Sequence, residues 1–191
     1  MQVLGNAPRR SNSNLQLMQP QTGDIVVVLN GTWTLAKAIQ RVTRSKAHHT
    51  GIIVIMNDNY YVSEMDSDQN SDPPRTGHLF TRWDDTKYNN GKPTDRTIIL
   101  MRSKQPIDWS KLPDWCLSNT AEYDFLALLQ HVIARYTGLW IGRRNAKAAR
   151  RFTCSEWVAY TLNRFAGLFP QWWKVSPADI AALDGFELIV C

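Results

Sequence analysis

The sequence predicts an α+β domain, on three observations. Apolar, β-branched runs of strand length occupy residues 24–29, 49–56, 60–65 and 96–102, bounded by Gly, Asn, Asp and Pro. Elsewhere apolar residues recur at helical spacing, as in Trp33, Ala36, Ile39 and Val42, and again in Phe125, Leu129, Val132 and Tyr136. The two kinds of segment do not alternate regularly, which favours α+β over a doubly wound parallel sheet.

Residues 1–21 are rich in Asn, Gln and Ser and read as a flexible arm, so the domain is expected over residues 22–191. Strand 24–29 leads into the helix carrying Trp33 to Val42. Residues 49–56 and 60–65 form a hairpin about Asn57, Asp58 and Asn59. Residues 66–94 hold Pro73, Pro74 and Pro93 among Asp and Asn and read as a long irregular insertion, a lid or binding loop anchored by Phe80 and Trp83. Strand 96–102, a short helix about 109–118 and a stronger helix through Phe125 and Tyr136 follow. A basic stretch, 138–151, precedes a helix through Trp157, Tyr160 and Phe165. Ser176 and Pro177 then start a last helix, and residues 186–190 close as a strand.

With 191 residues, 43% of them hydrophobic and 20% charged, the chain can bury a core without disulfide or metal staples. Cys116, Cys154 and Cys191 show neither metal-ligand spacing nor a disulfide framework, so a reducing compartment, no metal and no cofactor are expected. No apolar stretch follows Arg9 and Arg10, so neither a signal peptide nor a transmembrane segment is expected. Much of the +5 net charge gathers in Arg143, Arg144, Lys147, Arg150 and Arg151. That cluster reads first as a solvated basic loop and second as a contact for an anionic surface. It lacks interleaved aromatics and any reading motif, so specific nucleic-acid binding is not expected.

Thr153 followed three residues later by Glu156 is a capping-box signature, which places Cys154 at the first position of a helix. Unpaired N–H groups and the positive end of the macrodipole there stabilise a thiolate, the nucleophilic form of cysteine. The same N–H groups can receive the oxyanion that forms when the thiolate attacks a carbonyl. Taken alone, a cysteine at a helix start is more often structural.

Such a thiolate works with an imidazole. His131 falls mid-helix and His78 in the long insertion, where core or surface duty is expected, leaving His48 and His49. Alternation puts His49, Gly51, Ile53 and Ile55 on one face, with Gly51 leaving open space beside the ring. If Asn57 and Asp58 form a two-residue turn, Glu64 falls opposite Gly51 and diagonal to His49, and Asp66 faces His49 itself. A slip of one residue moves both carboxylates to the other face, so either of them stands as the group that orients His49.

Six fragments in order resemble the circularly permuted branch of the NlpC-type papain-like superfamily, which includes YiiX-like proteins and lecithin retinol acyltransferase relatives. They are Gly23-Asp24-Ile25-Val26, Ser45 through His49-Thr50-Gly51-Ile52, Val62-Ser63-Glu64, Tyr123-Asp124-Phe125, Phe152-Thr153-Cys154-Ser155-Glu156 and Ser176-Pro177-Ala178-Asp179. The resemblance implies a permuted papain-like fold, its antiparallel sheet packed against the nucleophile-bearing helix. It implies Cys154 as nucleophile, His49 as base, Glu64 as the residue orienting it, and Tyr123 as a wall or oxyanion-side residue. Thr50 stands where relatives often carry an apolar residue, and the insertion after Glu64 departs from their pattern.

The expected function is hydrolysis of an amide bond, in peptidoglycan peptides or other peptide amides, through a thioester. The alternatives are a lipid-directed acyltransferase or thioesterase and a non-catalytic structural module, for example of a phage particle. The expected location is the cytoplasm or a virion.

Overall fold

A computed structural model describes residues 19–32, 34–68, 73–83, 97–139 and 150–189. Its strands are β1 (Ile25–Leu29), β2 (Ala47–Met56), β3 (Asn59–Asp68), β4 (Arg75–Arg82), β5 (Thr97–Ser103), β6 (Glu122–Tyr123), β7 (Arg151–Phe152) and β8 (Phe186–Ile189). Its helices are α1 (Thr34–Thr43), α2 (Leu112–Ser118), α3 (Phe125–Thr137), α4 (Cys154–Ala166) and α5 (Pro177–Ala181). Six strands form one sheet in the order β4-β3-β2-β1-β5-β8, every pairing antiparallel, while β6 and β7 make a short parallel pair. The architecture is α+β.

β1 lies inside the sheet and is buried on both faces, which is why Ile25-Val26-Val27-Val28 reads as an uninterrupted apolar run. Ile25 and Val27, with Ile52, Val54 and Met65, meet Trp157, Val158 and Leu162 of α4 in the larger core. Val26, Val28, Ile53, Val62 and Leu100 cluster separately, on the opposite pleat face.

Trp157 centres the larger core. It is fully buried, stacks on Trp115 with centroids 5.0 Å apart, and meets Phe152 edge-on. Its Nε1–H donates to Ser63 Oγ at 3.1 Å, so α4 is tied to β3 through a buried polar contact. The same hydroxyl lies 2.8 Å from His78 Nε2, and His78 Nδ1 lies 3.0 Å from the Asn119 carbonyl oxygen. Burial shifts the His78 pKa downward, favouring the neutral ring that this polar knot uses.

The insertion expected over 66–94 is irregular only in part. β3 continues to Asp68, and Arg75–Arg82 pairs with it as a full edge strand. The strand signal in Arg-Thr-Gly-His-Leu-Phe-Thr-Arg was masked by the two prolines just before it, which bar pairing only up to Pro74. His78 therefore belongs to a strand and the core. Residues 19–21, read as part of the arm, are held against the sheet: Arg102 donates to the Gln19 carbonyl and, twice, to Asp24, whose carboxylate also accepts from the Gln21 N–H.

Candidate active site

The β2-β3 hairpin turns on Asn57 and Asp58, both at positive φ, as a two-residue turn with left-handed central residues requires. That turn fixes the register with Gly51 opposite Glu64. Glu64 is fully buried, and both of its oxygens are engaged: Oε2 with His49 Nε2 at 2.5 Å, and Oε1 as acceptor from Thr81 Oγ1 at 2.5 Å. Glu64 is thus the carboxylate bonded to His49. Asp66 stands close by, since one ligating atom from each of His49, Glu64 and Asp66 lies within 4.8 Å of the others.

Gly51 does not leave open space. A Cβ there would come within 2.4 Å of Val62 Cγ1 and 3.3 Å of the Glu64 Cβ, so the missing side chain is what lets Glu64 approach the ring. Gly51→Ala is expected to cost about 1–3 kcal/mol through overpacking, in addition to displacing Glu64; urea unfolding measures the first effect. Thr81 was not singled out from the sequence because it lay in the stretch read as insertion. The alternation of β4 was the signal that could have found it.

Cys154 is the first residue of α4 and is 2% exposed. The capping box is complete: Thr153 Oγ1 accepts from the Glu156 N–H, and Glu156 Oε2 accepts from the Thr153 N–H at 2.8 Å. Ser155 Oγ donates to the Val175 carbonyl at 2.7 Å, pinning the same turn to the segment before α5.

The pKa of Tyr123 is raised well above that of an ordinary phenol, first by burial and then by its electrostatic interactions with Cys154, Asp66, Glu156 and Asp124. The hydroxyl is therefore held protonated within electrostatic reach of both Cys154 and Asp66. α4 packs on the pleat face that carries Ser63, whereas register puts His49 and Glu64 on the other face. The β1-β2 register shifts between Val28 and Leu29, so Val28 faces His49 while Leu29 faces Ala47; the extra residue is His48, and the bulge brings Ala47 to the α4 face while His49 stays opposite Val28. β6, which carries Tyr123, pairs with the strand leading into α4 and also bonds to β4 through the His78 N–H and Ala121 carbonyl, near the end of β3 that holds Asp66.

The chain is similar in fold to YiiX. The solved structure of metalloprotein YiiX from Escherichia coli O157:H7, a DUF1105 protein, aligns over 90% of this chain and 97% of its own length, with a TM-score of 0.51 and 19% identity. No profile of a known protein family matches the chain, and no curated protein matches it significantly. At this identity the likeness to YiiX shows the fold alone.

Of the basic cluster, Arg143, Arg144 and Lys147 lie outside the described residues. Arg150 is exposed, and Arg151 donates through Nε to Glu122 at 2.7 Å, so one of the expected anion contacts already has a carboxylate partner. Cys116 is buried beside Ser63, and burial pushes its thiol up to about 12. Cys191 lies outside the described residues. Among the described residues no helix is long and apolar enough to cross a membrane.

Proposed function

We propose that the protein is a cysteine-dependent acyl hydrolase of the permuted papain-like type, acting on an amide bond. The observation that carries this reading is the imidazole of His49 bonded to the buried carboxylate of Glu64, together with Cys154 at the capped first turn of α4. The reading requires His49 to reach the sulfur from the other pleat face, and the labelling test below decides it.

With Nε2–H donating to Glu64, Nδ1 is the basic nitrogen and takes the thiol proton of Cys154. The thiolate attacks the amide carbonyl, and the oxyanion is received by N–H groups at the start of α4, with the Tyr123 hydroxyl as a further donor. The imidazolium returns its proton to the departing amine as the C–N bond breaks, leaving a thioester on Cys154. A water deprotonated by His49 then adds to the thioester, and the acid leaves as the thiol is reprotonated. Glu64 is a positioning residue that fixes the ring tautomer. Peptide amides, including those of peptidoglycan, are within this chemistry, as are the acyltransferase and thioesterase variants in which acceptor or leaving group differs.

The test is iodoacetamide labelling of Cys154 across pH, read by peptide mass. Labelling at neutral pH is expected to fall about tenfold or more in His49→Ala, with buried Cys116 silent in both proteins. Equal labelling of Cys154 with and without His49 sinks the proposal.

A second reading is favoured by the His49, Glu64 and Asp66 donors, whose one nitrogen and two oxygens suit zinc. YiiX, which is similar in fold, is a metalloprotein. Those three residues would hold the ion, which when bound would act as a Lewis acid on a carbonyl or a water. Under this reading purified protein carries stoichiometric metal that Asp66→Asn diminishes, and His49-dependent labelling of Cys154 is absent.

A further inference from the structure

We infer that the groove between α1 and α3 is a docking site for a partner protein, which enters it with an acidic amphipathic helix of about three turns; the docking face does not depend on Cys154 being the nucleophile. The groove encloses about 320 Å³, and its apolar walls include Leu35, Ile39 and Val42 of α1 and Phe125 and Leu129 of α3.

Leu35, Ile39 and Val42 recur at i, i+4 and i+7, and Phe125, Leu129 and Tyr136 at i, i+4 and i+11, so each helix carries one apolar stripe. Such stripes normally face a core. Here Ala36 alone is buried in α1, and Ala127 alone among the α3 residues whose burial is described, while Phe125, Leu129 and Tyr136 are 54%, 56% and 70% exposed. The two helices thus offer a seat that a third helix would fill. From Phe125 to Tyr136 is about 16 Å of helix, which sets the length of the occupant.

Charge selects the kind of helix. Residues 25–57 and 125–155, which contain α1 and α3, include Lys and Arg but not one Asp or Glu. Lys37, Arg41, Arg44 and Lys46, on α1 and just beyond it, are all exposed. Asp124, Glu156 and Asp179 are taken up in capping α3, α4 and α5. An occupant with carboxylates flanking its apolar ridge therefore meets complementary charge, whereas a second copy would set cation against cation. A helix bonds its own amides, so apolar walls leave none of its backbone groups stranded. A bilayer surface would meet the exposed α3 stripe but not Leu35, Ile39 and Val42, which are recessed and only partly exposed.

The experiment uses the full chain and a fluorescein-labelled, hydrocarbon-stapled peptide of about 14 residues, with leucine at i, i+3, i+4, i+7 and i+11 and glutamate at most other positions. Two control peptides carry the same residues in alternating order, or lysine in place of glutamate. Anisotropy is expected to show saturable binding of the acidic helix, at least about tenfold tighter than of either control. Leu129→Glu should weaken that binding about tenfold or more, and Arg41→Glu should weaken it and flatten its dependence on salt. Both positions are exposed, so thermal melts of the two variants should match wild type. Absence of saturable binding, equal affinity for the three peptides, or binding that Leu129→Glu leaves untouched overturns the proposal. Adsorption to vesicles of phosphatidylglycerol and phosphatidylcholine that Leu129→Glu abolishes, with no preference among the peptides, overturns it in favour of a membrane contact. A wild-type dimer in analytical ultracentrifugation that Leu129→Glu dissociates overturns it in favour of a second copy of this chain.

Discussion

Replacing Cys154 with alanine is expected to lower acyl-amide hydrolysis by at least about a thousandfold, because no other group at the start of α4 can form the thioester. The fold should survive, since the side chain lost is small and a buried thiol exchanged for a methyl costs about 1 kcal/mol. Glu64→Gln provides the graded comparison. The amide keeps the volume and can still meet His49 and Thr81, but it removes the charge that stabilises an imidazolium, so a loss of roughly a hundred- to ten-thousandfold in kcat is expected with KM little changed. Steady-state rates for the two variants, alongside thermal melts, decide the matter. Wild-type activity in Cys154→Ala would remove the sulfur from the mechanism.

The largest stability effect is expected at Trp157. Truncation to alanine removes the stack on Trp115, the edge contact with Phe152 and the donor to Ser63, all in a fully buried position. Large aromatic truncations of this kind cost about 3–5 kcal/mol. For a domain of this size that corresponds to a melting temperature lower by roughly 6–20 °C. Trp157→Phe keeps most of the ring area but leaves Ser63 without its indole donor, and about 1–3 kcal/mol is expected. A melt of Trp157→Ala within a few degrees of wild type would show that α4 is not fastened to the sheet through this side chain.

The strands and helices of the sheet core were legible because burial on one or both faces writes itself into period and run length. β1 and the β2-β3 hairpin are the plainest cases, and the helix beginning at Cys154 was legible from its capping box alone. The hairpin register was legible only conditionally. Asn57, Asp58 and Asn59 offer more than one turn; the structure turns on Asn57 and Asp58, and Gly51 is compatible with that register because a Cβ there would meet Val62 and crowd Glu64. β4 was hidden because Pro73 and Pro74 suggest irregular chain and because its partner strand, the extension of β3 through Asp66 to Asp68, carries carboxylates rather than apolar residues. The cavity of about 320 Å³ lined by Leu35, Ile39 and Val42 of α1 and by Phe125 and Leu129 of α3 was hidden for a different reason. An apolar stripe at helical spacing announces that it faces something apolar, but whether that is a packed neighbour or a space depends on what the partner helix brings opposite, which periodicity does not encode.

Ser63 and Glu64 are consecutive in β3, so the pleat sends them to opposite faces: the first accepts from Trp157, the second holds His49. On the proposed mechanism, rigidity and reactivity are consequently joined across a single peptide bond. Any substitution that loosens α4 from the sheet tilts this segment and carries the carboxylate away from its imidazole, so turnover would fade before the chain melts. If the proposed hydrolysis is the activity, its rate reports on the integrity of the interior more sensitively than a thermal scan.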